Sequence, residues 1–323
     1  MRNTPLRGDD VTTRLLSFFQ AVLGKQLLSV KPIRSHVWEV TGKHGNKWIA
    51  KRFSTQEDYM KQRWVTNALL EKGLSGTNQM ISEPDELFFD GKGSIALLEY
   101  IPHANVKKGE SITYTLQKDR KDAHHLLRSV HELGQSIQEA APGMLTRPSL
   151  LMKWHKRFAD FEDAHSVLST YIPKTTLQKL HQWGQWALDG MNSEQTKDTH
   201  TILHGDVAAH NFIRHLNGNL YMIDFDLVAY GPAWYDEVQF ANRILPYIHW
   251  SSDLLCADHA FQINANFLYG LAFPSDIYRE WNRTIRENLF SHKEWMSYVE
   301  RTTFHQLSRR MNFIEKIRNM VES

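Results

Sequence analysis

His204-Gly205-Asp206-Val207-Ala208-Ala209-His210-Asn211, followed a short way on by Asp224-Phe225-Asp226, is the stretch on which the reading of this chain turns. Phosphoryl transfer asks for a carboxylate that holds or deprotonates the attacking hydroxyl. It also asks for an amide oxygen on one metal ion and a second carboxylate on the metal that bridges the nucleotide phosphates. Asp206, Asn211 and Asp224 supply those groups in that order. Asp206 and Asn211 are five residues apart, so a tight loop turns both side chains into one cleft. Asp224 then has to be returned to them. The apolar segments 211–213 and 220–223 flank Asn217-Gly218, a pair that accepts positive φ and signals a hairpin. Such a hairpin sets Asp224 at a strand end beside Asn211.

The pairing of these two segments resembles the aminoglycoside phosphotransferase and choline kinase-like superfamily, whose catalytic loop reads H-G-D-x-x-x-x-N and whose metal motif begins D-F, D-W or D-L. The resemblance implies an α+β, protein-kinase-like, two-lobed fold. A small β-rich nucleotide-binding lobe would occupy residues 1–101, and a larger, mainly helical catalytic and acceptor-binding lobe residues 102–323. It implies ATP-dependent transfer of the γ-phosphoryl group to a hydroxyl of a small molecule, with ATP and Mg2+ as cofactors. By the same resemblance Asp206 is the catalytic base, and Asn211 and Asp224 are magnesium ligands. Asp226 stands where protein kinases carry the glycine of D-F-G, which looks like the small-molecule branch. His204, Asp206 and His210 are also metal-ligand types at short spacing. No further Cys or His cluster joins them, and His204 is read as bracing the loop.

Upstream, residues 37–40 and 47–53 are strand-like runs joined by the turn-rich Thr41-Gly42-Lys43-His44-Gly45-Asn46. In the second run Ile49, Lys51 and Phe53 share one face by the two-residue period. A lysine there either covers apolar surface with its stem or is held for a purpose. Resemblance to the kinase motif V-A-I-K makes Lys51 the α/β-phosphate lysine and Ile49 an adenine-facing residue. Ser54-Thr55-Gln56-Glu57 reads as a capping box opening a helix that runs to Gly73. Relatives pair the lysine with a Glu from this helix. The matching position holds Gln62, and Glu57 is the other candidate. Segment 33–38, where relatives have a glycine-containing loop over the nucleotide, contains no glycine. Segment 97–102 looks like the hinge, where the backbone of Glu99, Tyr100 and Ile101 would bond adenine.

The chain has 323 residues, room for a two-lobed enzyme. With 38 basic and 36 acidic side chains the net charge is +2, and no basic arm points to nucleic acid. No run approaches the roughly 20 apolar residues needed to span a bilayer. The single Cys256 excludes an internal disulfide and suits a reducing cytosol, so a cytoplasmic enzyme is expected. Oligomeric state is not legible.

From about residue 118 helices predominate. A 3.6-residue stripe of Leu126, Leu127, Val130, Leu133 and Ile137 predicts a core helix over 118–138. Further helices are expected within 150–168, 176–191, 234–245, 253–268, 275–289 and 292–321. Asp236, after the turn Gly231-Pro232, is expected to hold the catalytic region rather than bind metal. Trp154, Trp183 and Trp186 fall where relatives build the acceptor pocket, though core packing is the commoner role. Choline, homoserine, a methylthio-sugar, a fructosamine and an antibiotic all fit the motifs as acceptor. A polycationic aminoglycoside is disfavoured, because acids such as Asp160 and Glu162 are matched by Lys153, Lys156 and Arg157. A second reading is a pseudokinase-like binding or assembly protein, which Gln62 and the glycine-free loop favour.

Overall fold

The computed structural model describes residues 8–22, 27–104, 111–140, 143–191, 199–261 and 263–322. The chain forms two compact units. The first comprises Met1–Ile112, Leu126–Leu145 and Ala209–Val228, and the second Thr113–His125, Thr146–Ala208 and Ala229–Ser323.

In the first unit α1 (Gly8–Val22) precedes the strands β1 (Leu27–Arg34), β2 (Val37–Gly42) and β3 (Lys47–Phe53). Helix α2 (Gln56–Glu71) and the strands β4 (Phe88–Phe89) and β5 (Ser94–Glu99) follow. The five strands make one antiparallel sheet in the order β1-β2-β3-β5-β4. Because side chains alternate across a strand, each central strand serves two cores. Ala50, Ile95 and Leu97 join Val30, Trp38 and Val40 beneath Leu15 and Phe19 of α1. Phe53, Ala96 and Leu98 face the other way, onto Tyr59 of α2 and Met80, with Ile49 packed alongside. Full burial of each large apolar side chain contributes about 1.5–3 kcal/mol. Lys51 lies on this second face, between Ile49 and Phe53, as the period predicts.

Helix α2 is capped one residue later than the Ser54/Glu57 box predicts. Thr55 is the residue in extended conformation (φ −134°, ψ 161°), and its hydroxyl oxygen accepts from the Asp58 amide. The far end closes as expected around Gly73, with the Gly73 amide bonded to Leu70 and the Leu74 amide to Leu69.

The remaining elements are α3 (Gln117–Ala140), α4 (Leu150–Asp163), α5 (His165–Leu168), α6 (Lys174–Gly190), β6 (His200–Leu203), β7 (Phe212–Arg214), β8 (Leu220–Met222) and β9 (Ala229–Pro232). They continue with α7 (Trp234–Ile244), α8 (Ser252–Asp258), α9 (Ala265–Ala272), α10 (Ser275–Arg286), α11 (Lys293–Phe304) and α12 (Leu307–Glu322). Three of the segments expected to contain helix hold two helices each: 150–168 holds α4 and α5, and the other two are 253–268 and 292–321. The segment 253–268 breaks after α8, where His259 is buried among rings and Asn264 then caps α9 by accepting from the Phe267 amide. The segment 292–321 breaks before α12, where the Gln306 side chain bonds the Pro246 carbonyl.

In the first unit β7 and β8 form the expected hairpin, with Phe212 opposite Met222 and Arg214 opposite Leu220. Gly218 takes φ +94°, a conformation that demands glycine at the turn. The Met222 amide bonds the Gly76 carbonyl and the Leu216 amide the Pro102 carbonyl, so the hairpin is anchored at both ends. In the second unit β6 pairs with β9, while Trp154 stacks on Phe273 and Tyr278 packs against Phe158 and Phe161. Trp154 and Trp183 are core residues, and Trp186 packs on Tyr269. Among the described residues no helix is long and apolar enough to cross a membrane.

His259 makes the second unit sensitive to acid. It is buried against His124, Phe240 and Phe261. Burial lowers its pKa to about 4 from 6.5, an effect that Asp258 opposes and Arg120 and Lys121 reinforce. A folded-state pKa below the unfolded value means that this contribution to stability is complete above pH 6.5 and is lost as pH falls toward 4. At about 1.4 kcal/mol per pKa unit the expected loss is on the order of 3 kcal/mol. Neither ring nitrogen has a hydrogen-bond partner among the described residues, so His259→Phe removes the titration without removing a bond. Urea unfolding across this pH range should show a shallower acid loss in the variant; an unchanged slope would contradict the assignment.

Candidate active site

Lys51 is 6% exposed, and its ammonium has three donors and three acceptors. Nζ donates to Gln62 Oε1 (3.2 Å), Asp224 Oδ1 (2.5 Å) and Asp226 Oδ1 (2.5 Å). Of the two candidates on α2, Gln62 is therefore the partner and Glu57 is not. Arg34, at the end of β1, donates Nη2 to Asp224 Oδ2 (3.1 Å). Burial pushes the Asp224 carboxyl up, but Lys51 and Arg34 outweigh it and hold the group well below the usual carboxylate range. Asp226 is shifted the other way, by burial and by the Asp224 charge, against the pull of Lys51.

Asp224 occupies the left-handed region (φ 71°, ψ 57°), which Asp tolerates better than most side chains. The hairpin brings it there. The amide of Ile223 donates to the carbonyl of Asn211 (2.9 Å), extending the β7–β8 ladder, so Asn211 lies directly beside the residue that precedes Asp224. Asn211 itself is buried, at the end of a 3-10 turn spanning Ala209–Asn211.

Segment 97–102, expected as the hinge, belongs to the same unit. The Glu99 amide bonds the Gln79 carbonyl and its carboxylate accepts from the Gln79 amide. Tyr100 lies under the Lys47 ammonium, and the Ile101 carbonyl contacts His103 Nδ1 (2.8 Å). Ile49 stands opposite Leu98 of β5.

Asp206 belongs to the second unit. Gly205 takes φ +80°, which lets the chain turn sharply ahead of it. Buried His204 accepts from the Asp206 amide through Nδ1 (3.3 Å), the bracing role expected for it. Asp236, fully buried in the first turn of α7, accepts from the amides of His204 (2.6 Å) and Gly205 (2.9 Å). It thus holds the loop that carries Asp206 directly, through two backbone amides. The Tyr114 hydroxyl bonds the Val207 carbonyl (2.8 Å). Arg243, about two turns beyond Asp236 on α7, donates to Asp206 Oδ1 (2.5 Å).

Three contacts escape sequence reasoning: Arg34 on Asp224, Asp226 on Lys51, and Arg243 on Asp206. A signal existed for two of them. Arg34 is the cation of the glycine-free segment, and Arg243 is seven residues after Asp236, on the same face of the helix.

Asp236→Ala would leave two loop amides without an acceptor, at about 1–3 kcal/mol each. Denaturant unfolding should show a loss of roughly 3 kcal/mol. Asp236→Asn keeps one acceptor oxygen and should lose about half as much; equal loss in both variants would contradict this account.

A family model described as the phosphotransferase enzyme family matches residues 30–255. Among solved structures, the chain is similar to an aminoglycoside phosphotransferase from Alicyclobacillus acidocaldarius, at 14% identity over 99% of this chain and 98% of that one, with a TM-score of 0.69. It is also similar to wild-type aminoglycoside 2′-phosphotransferase-IIIa in its GDP complex, at 12% identity over 93% and 99% of the two chains and a TM-score of 0.61. A third is a choline kinase from Streptococcus pneumoniae, at 14% identity over 95% and 99%, with a TM-score of 0.51. At these identities the likeness is one of fold. Among curated proteins no match is found. The match over 30–255 and the kinase-like architecture agree, and the chain belongs to the phosphotransferase enzyme family.

Proposed function

We propose that this phosphotransferase moves the γ-phosphoryl group of ATP to a hydroxyl of a small molecule. The observation that carries the proposal is the buried Lys51 ammonium, held by Asp224 and Asp226 on the face of the sheet that continues toward the hinge. A buried cation whose partners are the motif carboxylates is poised for exchange onto phosphate oxygens. Lys51 would take the α- and β-phosphates, with Ile49 against the adenine and the backbone of Glu99, Tyr100 and Ile101 bonding its edge. Residues 1–101 are then the nucleotide lobe and 102–323 the catalytic and acceptor lobe.

Asp224 and Asn211 offer hard oxygen donors of the kind that suits Mg2+, and Asp224 is kept ionised. Magnesium, when bound, supplies charge neutralisation on the phosphates. Lys51 and Arg34 together carry the charge of one divalent cation, so their release to phosphate oxygens leaves the local charge on Asp224 and Asp226 matched. Asp206 would receive the acceptor hydroxyl and take its proton, with one oxygen fixed by Arg243. Little covalent chemistry is asked of the protein. The single cysteine accords with work in a reducing cytoplasm.

Gln62 favours a second reading, a binding or assembly protein that keeps the fold without turnover, because a neutral amide holds Lys51 where an acid is usual. Two variants decide. Asp206→Asn should lower turnover on the order of a hundred-fold or more while leaving magnesium-nucleotide affinity near wild type. Loss of nucleotide binding with turnover retained would overturn the assignment.

Asp224→Ala should abolish the magnesium-dependent part of nucleotide binding, and Lys51→Ala should weaken binding less. Calorimetry with and without magnesium measures both. If the wild-type chain binds nucleotide equally well without the ion, Asp224 loses its role and the non-catalytic reading stands.

A further inference from the structure

The second unit gathers positive charge around Asp206. Arg243 reaches Asp206 from the last turn of α7. Lys153 and Arg157 stand four residues apart on α4 and so share one helix face. Arg279 lies on α10, which packs along α4: Arg157 Nη1 donates to the Ser275 carbonyl (3.2 Å) and hydroxyl (2.5 Å), and Asn282 donates to the Arg157 carbonyl (2.8 Å). The charges act on one another. Lys153 feels Arg157, Arg279, Asp206 and Arg243, and Arg157 feels Arg279, Asp276 and Glu280.

The carboxylates of this cluster are already engaged. Asp276 is held by both guanidinium nitrogens of the buried Arg310 (3.0 and 2.5 Å), Glu280 by Arg279 (2.5 Å), and Asp206 by Arg243. Five cations thus face three carboxylates. The surplus falls on Lys153 and Arg157, neither of which forms an ion pair among the described residues. Burial, then the neighbouring Arg157 and Arg279 charges, lower the Lys153 ammonium from its usual range, although the residue keeps access to solvent. Arg157 is lowered to about 10, by burial and then by Arg279. Two partly desolvated cations crowded by like charge are unfavourable in the empty protein, and an anion beside them removes the conflict.

We propose that Lys153 and Arg157 bind an anionic group, a carboxylate or a phosphate, carried by the alcohol whose hydroxyl Asp206 receives. The acceptor is then an anionic hydroxyl compound. A polyamine or a quaternary ammonium alcohol needs a focused negative potential, and this wall has the opposite sign. A guanidinium fork suits either oxyanion. The inference rests on Asp206 as the acceptor residue.

Two measurements on the full chain test it. Calorimetry without nucleotide, using glycerol 3-phosphate and glycerate as probes and glycerol as the neutral counterpart, asks whether the anion is held. Transfer assays with neutral, anionic and cationic alcohols, the last including kanamycin and choline, ask which charge is preferred. Binding of at least one anionic probe is expected, and glycerol 3-phosphate against glycerate separates phosphate from carboxylate. Lys153→Gln and Arg157→Gln should weaken that binding about tenfold or more, or ~1.4 kcal/mol. They should raise KM for the anionic acceptor by a similar factor, with a smaller change in kcat and none in nucleotide affinity. Lys156→Gln, whose ammonium is already paired with Asp160 on α4, should change nothing.

Anion binding equal in wild type and Lys153→Gln overturns the proposal, as does failure of either anion to bind, or a neutral or cationic alcohol as best acceptor. If no alcohol is phosphorylated, the kinase reading fails while the binding arm still decides this one. Should Arg157→Gln not fold, because Arg157 ties α4 to α10, Lys153→Gln alone carries the test, since its side chain has no such partner.

Discussion

One buried ammonium constrains the first unit more than any other group. Removing a charged amine from water costs several kcal/mol unless its donors are all met and its charge is compensated, and Lys51 satisfies both conditions with three acceptors. The three acceptors come from two distant pieces of chain. Gln62 requires α2 to lie against β3, and Asp224 and Asp226 require the β7–β8 hairpin to end at one height. Asp224 meets the lysine from a left-handed turn, with its Oδ1 2.5 Å from Lys51 Nζ. The anchoring of the hairpin on Gly76 and Pro102 serves the same end.

The two units carry different electrostatics. Around Lys51, two carboxylates meet two cations and the local charge closes to zero. Around Asp206, Lys153 and Arg157 add two cations to three one-to-one ion pairs. A neutral, exchangeable cluster suits the arrival of a metal and phosphates together, since each side-chain cation has somewhere to go. A fixed positive wall suits a substrate that brings its own negative charge. Fold membership alone does not distinguish these cases, because aminoglycosides and choline are cations; the difference lies in side chains at Lys153, Arg157, Arg243 and Arg279.

Much of this was legible in the sequence where local rules dominate. Alternation placed Lys51, Ile49 and Phe53 on one face, and Asn217-Gly218 set the hairpin register that returns Asp224 beside Asn211. Sequence reasoning failed where partners lie far apart along the chain. Arg34 and Asp224 are 190 residues apart, and Arg243 and Asp206 are 37 apart, and no periodicity encodes such pairs. The helix breaks after α8 and α11 have a similar origin. Neither is marked by glycine or proline, and both occur where a side chain, His259 or Gln306, finds its place elsewhere. The choice between Gln62 and Glu57 needed the three-dimensional pitch of α2, since both lie on the helix and only one faces the sheet.

The most direct test of the central claim is a crystal structure of the chain with magnesium and a non-hydrolysable ATP analogue. Lys51 Nζ should leave Asp224 and Asp226 for oxygens of the α- and β-phosphates, with Asp224 and Asn211 oxygens about 2.1 Å from the metal. A nucleotide bound elsewhere, or bound while Lys51 keeps both carboxylates at 2.5 Å, would contradict the account.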